Sequence, residues 1–360
     1  MDSSLISIVA AAFLLLPLLY KLFCNKDVSR KPPEAGGAWP IIGHLHLLAA
    51  PEATFKILRD MAKKYGPIFQ IRLGPNPVLV VSDSRVAKEC FTTNDKALAS
   101  RPKSLSIEIM GYNYANFGFA PYGPYWRHVR KVVMLELLSK RRLEMLGRVR
   151  ESGAVLGAAT DTTALTLTWA LSLILNNPST LEKIRGEIDL HVGKERQVEE
   201  SDINNLTYLQ ALVKETLRLY PPGPLLLPHE CIEDCTVDGY HVTKGTRLLV
   251  NVSMIHRDPE FWSDPDAFRP ERFLEEHKEV DVRGNHFNLI PFGGGRRICP
   301  GISLGLQSVQ LALANLVHGF YVKKISEKPI DMTEAPGLSN VKATPLNVFL
   351  SPRLPSHLYG

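Results

Sequence analysis

The strongest constraint on the fold is a set of proline-free segments in which apolar residues recur at helical spacing. They cover residues 55–65, 126–138, 155–175, 179–192, 208–220 and 302–318. Shorter runs at 68–73, 77–82, 236–242 and 247–252 predict strands, and the turn at Gly74 and Pro75 joins the first two into a hairpin. At 360 residues and 45% hydrophobic, the chain can bury a large core. The sequence therefore predicts a mainly α-helical fold with small β-sheets.

The N-terminal residues predict a membrane anchor. Residues 3–20 carry no charge and are long enough to cross most of a bilayer core as a helix. Asp2 precedes this run, and the basic residues that follow it are Lys21, Lys26, Arg30 and Lys31. This charge order favours a single transmembrane helix at residues 1–23, with the body on the cytoplasmic side. We expect a Pro/Gly-rich hinge at 24–50 and the folded body at 51–360.

Charge and cysteine usage exclude several classes of protein. The chain has 42 Lys and Arg and 37 Asp and Glu, and this small positive net charge does not indicate a nucleic-acid partner. The five cysteines are Cys24, Cys90, Cys231, Cys235 and Cys299. Because they are odd in number and scattered, we expect reduced thiols and no disulfide framework. Cys231 and Cys235 form a C-x3-C pair, but no second pair completes a zinc site, so two unpaired thiols are the better interpretation.

A glycine-rich loop, FGGGRRICPG at residues 292–301, leads into an apolar helical segment. Pro300 suits the first turn of a helix, which predicts Cys299 at a helix N-terminus, where the dipole and free N–H groups favour a thiolate. The glycines would let the backbone pass close to a flat macrocycle. Phe292 would shield the sulfur from water, and Arg297 would meet a carboxylate. Such a thiolate can ligate iron, whereas a phosphate loop would need a Lys-Ser or Lys-Thr that is missing here.

The spacing F-x2-G-x-R-x-C-x-G is met by Phe292, Gly295, Arg297, Cys299 and Gly301. It resembles the signature of the cytochrome P450 superfamily, and the chain as a whole resembles the plant microsomal type. The resemblance implies the cytochrome P450 fold for residues 51–360. It also implies haem b (iron protoporphyrin IX) as cofactor with Cys299 as the axial ligand, and a body held at the endoplasmic reticulum membrane.

The resemblance also implies a structural ion network. Glu215 and Arg218 lie three residues apart on a predicted helix, and a later P-E-R-F segment supplies Arg272. In relatives these three residues form a buried network that fixes the haem-binding core. Glu182 and Arg185 have the same spacing, but only the first pair lies on an apolar helix that ends in Tyr-Pro-Pro.

Further site residues follow from the resemblance alone. The segment AATDTT at 158–163 resembles the oxygen-activating part of the long central helix, which assigns Asp161 and Thr162 to a proton route, beside the small Ala158 and Ala159. The residues implied to contact the haem propionates are Trp126, Arg130 and His229. The predicted substrate walls are residues 104–119, 155–159, 225–227 and 338–343, and they are mostly apolar.

Electrons would have to come from a partner, because no nicotinamide-binding fingerprint occurs in the chain. The predicted partner is an acidic flavoprotein, the NADPH-cytochrome reductase. A basic stripe could dock it, formed by Arg127, Arg130, Lys131, Lys140, Arg141 and Arg142. A solvated helix face is an equally good interpretation of this stripe.

The chain departs from the family pattern near residues 150–155, where relatives carry an additional block on the order of 150 residues. That block holds the helices over the substrate and part of the core bundle. The leading functional prediction is oxidation of a hydrophobic small molecule, a plant specialised metabolite, with O2 and reductase-supplied electrons. Two alternatives stay open: a truncated and catalytically incompetent haem-binding product, and a haem-thiolate isomerase or dehydratase.

Overall fold

The computed structural model describes residues 30–145 and 160–359. In chain order its helices are α1 (Leu45–Leu48), α2 (Thr54–Tyr65), α3 (Ser84–Phe91), α4 (Leu105–Met110), α5 (Pro124–Val132), α6 (Lys140–Met145), α7 (Thr160–Asn176), α8 (Pro178–His191), α9 (Thr207–Leu219), α10 (Val252–Ile255) and α11 (Ile302–Gly319). The strands are β1 (Ile68–Leu73), β2 (Asn76–Val81), β3 (His229–Glu230), β4 (Cys235–Val237), β5 (Tyr240–Val242), β6 (Arg247–Val250), β7 (Phe320–Lys324) and β8 (Val348–Pro352). The predicted class, mainly helical with small sheets, is confirmed.

The largest sheet has the strand order β1-β2-β6-β3. The predicted hairpin of β1 and β2 is antiparallel and pairs Ile68 with Val81, whereas β6 runs parallel to β2. Strand β2 is buried on both faces: Leu79 packs in one apolar cluster and Val80 in another. A strand covered on both sides needs a continuous apolar run, which the sequence NPVLVV provides. The sheet therefore separates two parts of the core.

The helical part of the core is built from α7, α8, α9 and α11, which pack around one large apolar cluster. Ile174, Ile184, Leu212 and Leu313 are almost completely buried there. Helix α9 is buried on nearly its whole circumference, so its charged residues must find partners inside the protein. This helix carries Glu215 into the core.

Two predicted segments differ from the structure in detail. The segment 236–242 is a hairpin of β4 and β5, because Asp238 and Gly239 adopt positive φ (49° and 75°) and turn the chain. The predicted helix 126–138 is α5 followed by a π-helical turn, Val133–Leu137.

A further difference concerns the helix after the glycine-rich loop. Helix α11 begins at Ile302 with Gly301 as its N-cap, so Cys299 precedes the helix by three residues instead of lying at its first turn. The first five residues of the predicted helix 155–175, which include Ala158 and Ala159, lie outside the described residues. The predicted anchor 1–23 lies outside them as well.

The segment after residue 30 packs against the sheet. Ala35 donates its backbone N–H to Gln70 of β1, and the ring of His44, fully buried, bridges the Ala35 carbonyl and the Arg72 amide. Within the described parts of the chain, no helix has the length and apolar character needed to cross a membrane.

Candidate haem-thiolate site

The predicted ligand Cys299 lies on the wall of a cavity of about 380 Å³. The cavity is lined by Arg101, Phe117, Gly118, Trp126, Arg130, Thr162, Pro222, Gly223, Leu226, Leu227, Pro228, His229, Pro291, Phe292, Gly293, Gly294, Arg297, Cys299, Pro300, Leu338 and Ser339. The amide of Cys299 donates to the carbonyl of Phe292 at 3.0 Å, which closes the loop behind the sulfur. One cavity therefore brings together the predicted residues Cys299, Trp126, Arg130, Thr162, His229, Phe292 and Arg297.

The glycines of the loop also allow it to pack closely against the end of α3. Gly293 and Gly294 do line the cavity, but the closest approach is made by Gly295 to the end of α3. A Cβ on Gly295, whose φ is +61°, would lie 2.8 Å from the carbonyl oxygen of Phe91. The neighbouring Arg296 pairs with Asp95 at 2.8 Å. The glycines thus fasten the loop to the α3 side of the protein.

Arg297 and Trp126 form the most specific polar part of the wall. The Arg297 guanidinium donates from Nε to Ala99 and from Nη2 to Ala120, both carbonyls at 2.6 Å, and lies 4.1 Å above the Trp126 ring. Its third nitrogen, Nη1, and the indole Nε1 of Trp126 are buried, and neither has a hydrogen-bond partner among the described residues. Buried donors without acceptors are costly. Both are therefore available to an acidic group in the cavity.

Two further guanidinium groups complete a cationic wall. Arg130 donates from Nη2 to the carbonyl of Ile298 at 2.9 Å, next to Cys299. Arg101, which the sequence analysis missed, donates from Nη1 to the carbonyls of Leu227 and Pro228 at 2.7 and 2.8 Å. No motif marked Arg101, since its two shortest hydrogen bonds go to carbonyls more than a hundred residues away in sequence.

Burial and neighbouring positive charges lower the pKa values of two of these guanidinium groups. Burial and then the charge of Arg297 lower the pKa of Arg101 to about 9. Burial and then the charge of Arg130 lower the pKa of Arg297 to about 10. None of the described lining residues is Asp or Glu. The wall is therefore suited to an anionic group.

His229 is in the cavity wall as a neutral ring. Burial, followed by the charge of Arg101, lowers its pKa to about 3. Its Nδ1 lies 2.7 Å from the carbonyl of Leu98, which assigns the proton to Nδ1 and leaves Nε2 as an acceptor. In this tautomer the ring has no N–H to offer a propionate, and the implied third contact stays a prediction.

The thiol of Cys299 differs from the expected low-pKa group. Burial raises its pKa, while the Gly301 amide and the charge of Arg130 act in the opposite direction. The Gly301 amide is one of the free N–H groups that were expected to stabilise the thiolate, and the charge of Arg130 adds to it, but burial outweighs both. The helix that was expected to favour the thiolate begins only at Ile302.

Of the predicted proton-relay pair, Thr162 lines the cavity and Asp161 does not appear in its lining. Both residues are exposed in the first turn of α7. The Thr162 carbonyl accepts a hydrogen bond from the Thr166 hydroxyl at 2.8 Å. The roles assigned to the pair stay predictions.

The structure brings Glu215, Arg218 and Arg272 together, each fully buried. Arg218 donates from Nε and Nη2 to the Glu215 carboxylate at 2.7 and 2.8 Å, and Arg272 donates from Nε at 3.1 Å. The remaining guanidinium nitrogens bind backbone carbonyls of residues 256–267. Glu182, of the second E-x-x-R pair, is exposed, and Arg185 donates to the carbonyl of Phe320.

The basic stripe lies on α5 and α6. Arg127, Lys131, Arg141 and Arg142 are exposed, and Arg142 pairs with Glu136 at 3.2 Å. Arg130 is turned toward the cavity instead. From the predicted substrate walls, the residues that line the cavity are Phe117, Gly118, Leu226, Leu227, Leu338 and Ser339, and their role as substrate walls stays a prediction.

Comparisons with known proteins agree with this geometry. The sequence model of the cytochrome P450 family matches residues 32–157 and 149–348. Vinorine hydroxylase from Rauvolfia serpentina is 40% identical over 478 aligned residues that span 100% of both proteins. Demethylepipodophyllotoxin synthase from Sinopodophyllum hexandrum is 38% identical over 502 aligned residues, spanning 95% of this chain and 96% of that protein. A zebrafish cytochrome P450 solved with progesterone has a TM-score of 0.71 at 21% identity, covering 83% of this chain and 99% of that one.

The fold and the cavity define a mainly helical protein that presents one cysteine sulfur beside a cationic wall, the arrangement of a haem-thiolate protein. The chain belongs to the cytochrome P450 family, plant type, and its enzyme class is the cytochrome P450 monooxygenases.

The family implies a haem-thiolate cofactor, and the residues of the cavity fit it. Cys299 offers a sulfur ligand, and the apolar side chains of Phe292 and Leu226 border the same space. The unpartnered donors of Trp126 and Arg297 suit the carboxylates of such a group. An iron porphyrin would thus satisfy buried groups that the described residues leave without an acceptor.

Proposed function

We propose that this protein is a haem-dependent monooxygenase that oxidises a hydrophobic small molecule of plant specialised metabolism, using O2 and electrons from an NADPH-dependent flavoprotein reductase. The names of its relatives support this class of substrate, since they include a vinorine hydroxylase and a demethylepipodophyllotoxin synthase. The apolar wall residues Phe117, Leu226 and Leu338 suit a substrate with little charge.

The observation that carries the proposal is the joint position of Cys299, Trp126 Nε1 and Arg297 Nη1 around one cavity. We assign Cys299 as the axial sulfur ligand of haem b, and Trp126, Arg130 and Arg297 as donors to its propionates. When bound, the haem supplies the redox chemistry that activates O2. Phe292 excludes water from the sulfur. His229 keeps its Nδ1–H on Leu98 and limits the space beside the wall.

Proton delivery is assigned to Thr162 and Asp161. The Thr162 residue is in the cavity lining, and its hydroxyl would hold a proton donor near the reacting atoms. The exposed Asp161 would take protons from solvent and pass them inward. Since the two residues are neighbours in the first turn of α7, a shift of this turn would displace both side chains from the proton route.

We further assign residues 1–23 to an anchor in the endoplasmic reticulum membrane, followed by the Pro/Gly-rich hinge segment at 24–50 and the cytoplasmic haem domain at 51–360. Ala35 and His44 of the hinge segment bond to β1, which joins the second half of this segment to the haem domain. The exposed cations of α5 and α6, which include Arg127, Lys131 and Arg141, would dock the acidic reductase. Because these charges are exposed, this association should weaken as ionic strength rises.

The ferrous–CO difference spectrum of the purified full chain tests the proposal. Thiolate ligation gives a Soret band at long wavelength, and we expect this band in the wild type and in Cys90→Ser, which alters a buried thiol that does not line the cavity. Cys299→Ser should lose the band. A wild type that binds haem and shows no such band, or a Cys299→Ser variant that retains it, would refute the assignment.

A second candidate function, a haem-binding product without turnover, is favoured by specific observations. The alignment with the demethylepipodophyllotoxin synthase extends over 502 positions although this chain has 360 residues, and the family model matches in two segments that meet at 149–157. We therefore propose that a block of relatives' sequence is missing near 150–155. Large apolar side chains that the block would cover in relatives are exposed here, namely Leu105, Ile109, Met110, Leu135 and Leu137.

Insertion of the corresponding block from vinorine hydroxylase between residues 150 and 155 separates the two functions. If the shortened chain binds haem and oxidises nothing, the insertion should restore substrate-dependent consumption of NADPH in the presence of reductase. Turnover by the shortened chain itself, at a rate that the insertion does not raise, would exclude the second candidate.

A further inference from the structure

Outside the cavity, the structure places two thiols in contact. The Sγ atoms of Cys231 and Cys235 are 3.7 Å apart. Cys231 follows β3 directly and is almost completely buried, whereas Cys235 opens β4 and is half-buried. Neither thiol has a part in the haem site proposed above.

The β-structure on both sides holds the two residues in place. The backbone N–H of Cys231 donates to Thr246 at 2.9 Å, and its carbonyl accepts from Gly245 at 2.8 Å. Cys235 is paired with Val242 in the β4–β5 hairpin. The sulfur contact is therefore fixed by main-chain bonds at both ends. A disulfide has an S–S distance of about 2.05 Å, so the two sulfur atoms need to approach by only about 1.7 Å.

A metal site is a poor account of the pair. Among the described residues, no group of three His, Cys, Asp or Glu side chains is arranged to hold an ion. Asp234, which precedes β4, and His241 of β5 contact one another at 3.4 Å. A structural zinc ion requires four ligands, and this pair supplies two.

We propose that Cys231 and Cys235 are a redox pair that a hydroperoxide oxidises to an intramolecular disulfide. This proposal does not depend on haem binding. The sequence predicted two unpaired reduced thiols, whereas the proposed pair alternates between a reduced dithiol and a disulfide.

The reaction balances with hydrogen peroxide as the oxidant. One thiolate attacks the peroxide, the O–O bond breaks, and the sulfur becomes a sulfenic acid while hydroxide takes a proton and leaves as water. The second thiol then attacks the sulfenic sulfur, the S–S bond forms, and the sulfenic oxygen leaves as a second water. The two thiols lose two electrons and two protons, and the peroxide is reduced.

The contact also differentiates the two sulfur atoms. Hydrogen bonding from the Cys235 thiol lowers the pKa of Cys231, while the same contact raises the pKa of Cys235. Cys235 is the more exposed of the two thiols, and Cys231 is oriented by a hydrogen bond from its Sγ to the carbonyl of Glu233 at 2.9 Å. Nearby Cys90 is fully buried in the same apolar cluster, and burial raises its pKa. It provides a matched thiol that should stay reduced.

Cys231 follows the cavity-lining residue His229 by two positions in sequence. Strand β3 carries His229, which lines the cavity, and Glu230, whose amide donates to Ser100 at 3.0 Å. Ser100 precedes Arg101 of the cationic wall. Closing the disulfide would therefore fasten the end of a strand that shapes the haem site.

The test is peptide mapping of the folded full chain after exposure to hydrogen peroxide, with free thiols alkylated before digestion. We expect the peptide that contains Cys231 and Cys235 to lose two hydrogens and two alkylation sites, and dithiothreitol to restore both. Cys90→Ser should leave this loss unchanged, whereas Cys231→Ser and Cys235→Ser should each abolish it. In the single-serine variants, dimedone should trap a sulfenic acid at the cysteine of the pair that remains.

The wild-type result decides the matter even if a serine variant fails to fold. A folded wild type in which both thiols stay reduced under peroxide would overturn the proposal. So would separate oxidation of the two sulfur atoms to sulfinic acids, or a disulfide that joins either of them to Cys90.

Discussion

Removal of the Glu215 carboxylate tests how strongly the buried charge network stabilises the fold. Glu215→Ala leaves the fully buried guanidinium group of Arg218 without its counter-charge, and it leaves Arg272, also fully buried, with only the Glu276 carboxylate at 3.5 Å. It also removes four accepted hydrogen bonds of 2.7 to 3.1 Å, three from these side chains and one from the amide of Arg269. Loss of one partner from a buried pair costs about 3–5 kcal/mol.

A cost of about 4 kcal/mol is a large share of the roughly 5–15 kcal/mol that stabilise a typical domain. It corresponds to about a thousandfold increase in the ratio of unfolded to folded protein. Urea unfolding followed by tryptophan fluorescence measures it, and Trp262 is a suitable reporter because it is fully buried beneath Arg218 and Arg272, at 5.3 and 5.9 Å.

Glu182→Ala is the matched control, since Glu182 has the same spacing to Arg185 on an exposed helix face. We expect it to change the unfolding free energy by less than about 0.5 kcal/mol. The double variant Glu215→Ala/Arg218→Ala should cost less than the sum of its single changes, because it removes two groups that depend on each other. Similar unfolding midpoints for Glu215→Ala and Glu182→Ala would refute the reasoning.

Two further predictions concern His256 and Gly295. Burial, then the charge of Arg218, lowers the pKa of His256 from 6.5 to about 3. The unfolded chain therefore takes up the proton first as the pH falls. The contribution of His256 to the free energy of unfolding is complete above pH 6.5 and declines toward pH 3 by about 1.4 kcal/mol per pH unit. His256→Gln should reduce this slope in urea midpoints, and His191→Gln, at an exposed position, should not. Gly295→Ala should lower the melting temperature and the haem content, since its Cβ would strike the Phe91 carbonyl; Gly305→Ala, in open space on α11, should stabilise by about 1 kcal/mol.

Local patterns predicted the secondary structure well because helical and strand spacing are properties of neighbouring residues. Strand β1 has the predicted bounds of 68–73, and α2 differs from the predicted 55–65 by one residue. The Asp238–Gly239 turn was a local signal as well, and its D-G sequence predicts the hairpin that was overlooked. The π-helical turn at Val133–Leu137 has no such signature in the local sequence.

The site was predictable only as far as its residues carry a motif. Arg101 has none, and its place in the wall depends on carbonyls of Leu227 and Pro228 that tertiary folding brings to it. The neutral state of His229 depends in the same way on burial and on the Leu98 carbonyl. A sequence pattern can name a residue type at a position, but it does not specify the desolvation that decides its charge.

The bonds around Cys299 also explain how the two sides of the proposed deletion can still form one wall. Arg297 binds the carbonyls of Ala99 and Ala120, and Arg130 binds the carbonyl of Ile298. Each of these bonds joins residues before position 145 to residues after position 160, so they do not require an intervening block. The predicted substrate wall at 104–119 lacks comparable bonds to the loop, and its Met110 is 81% exposed. Haem binding and substrate binding therefore depend on different contacts, and loss of the block should impair the second more than the first.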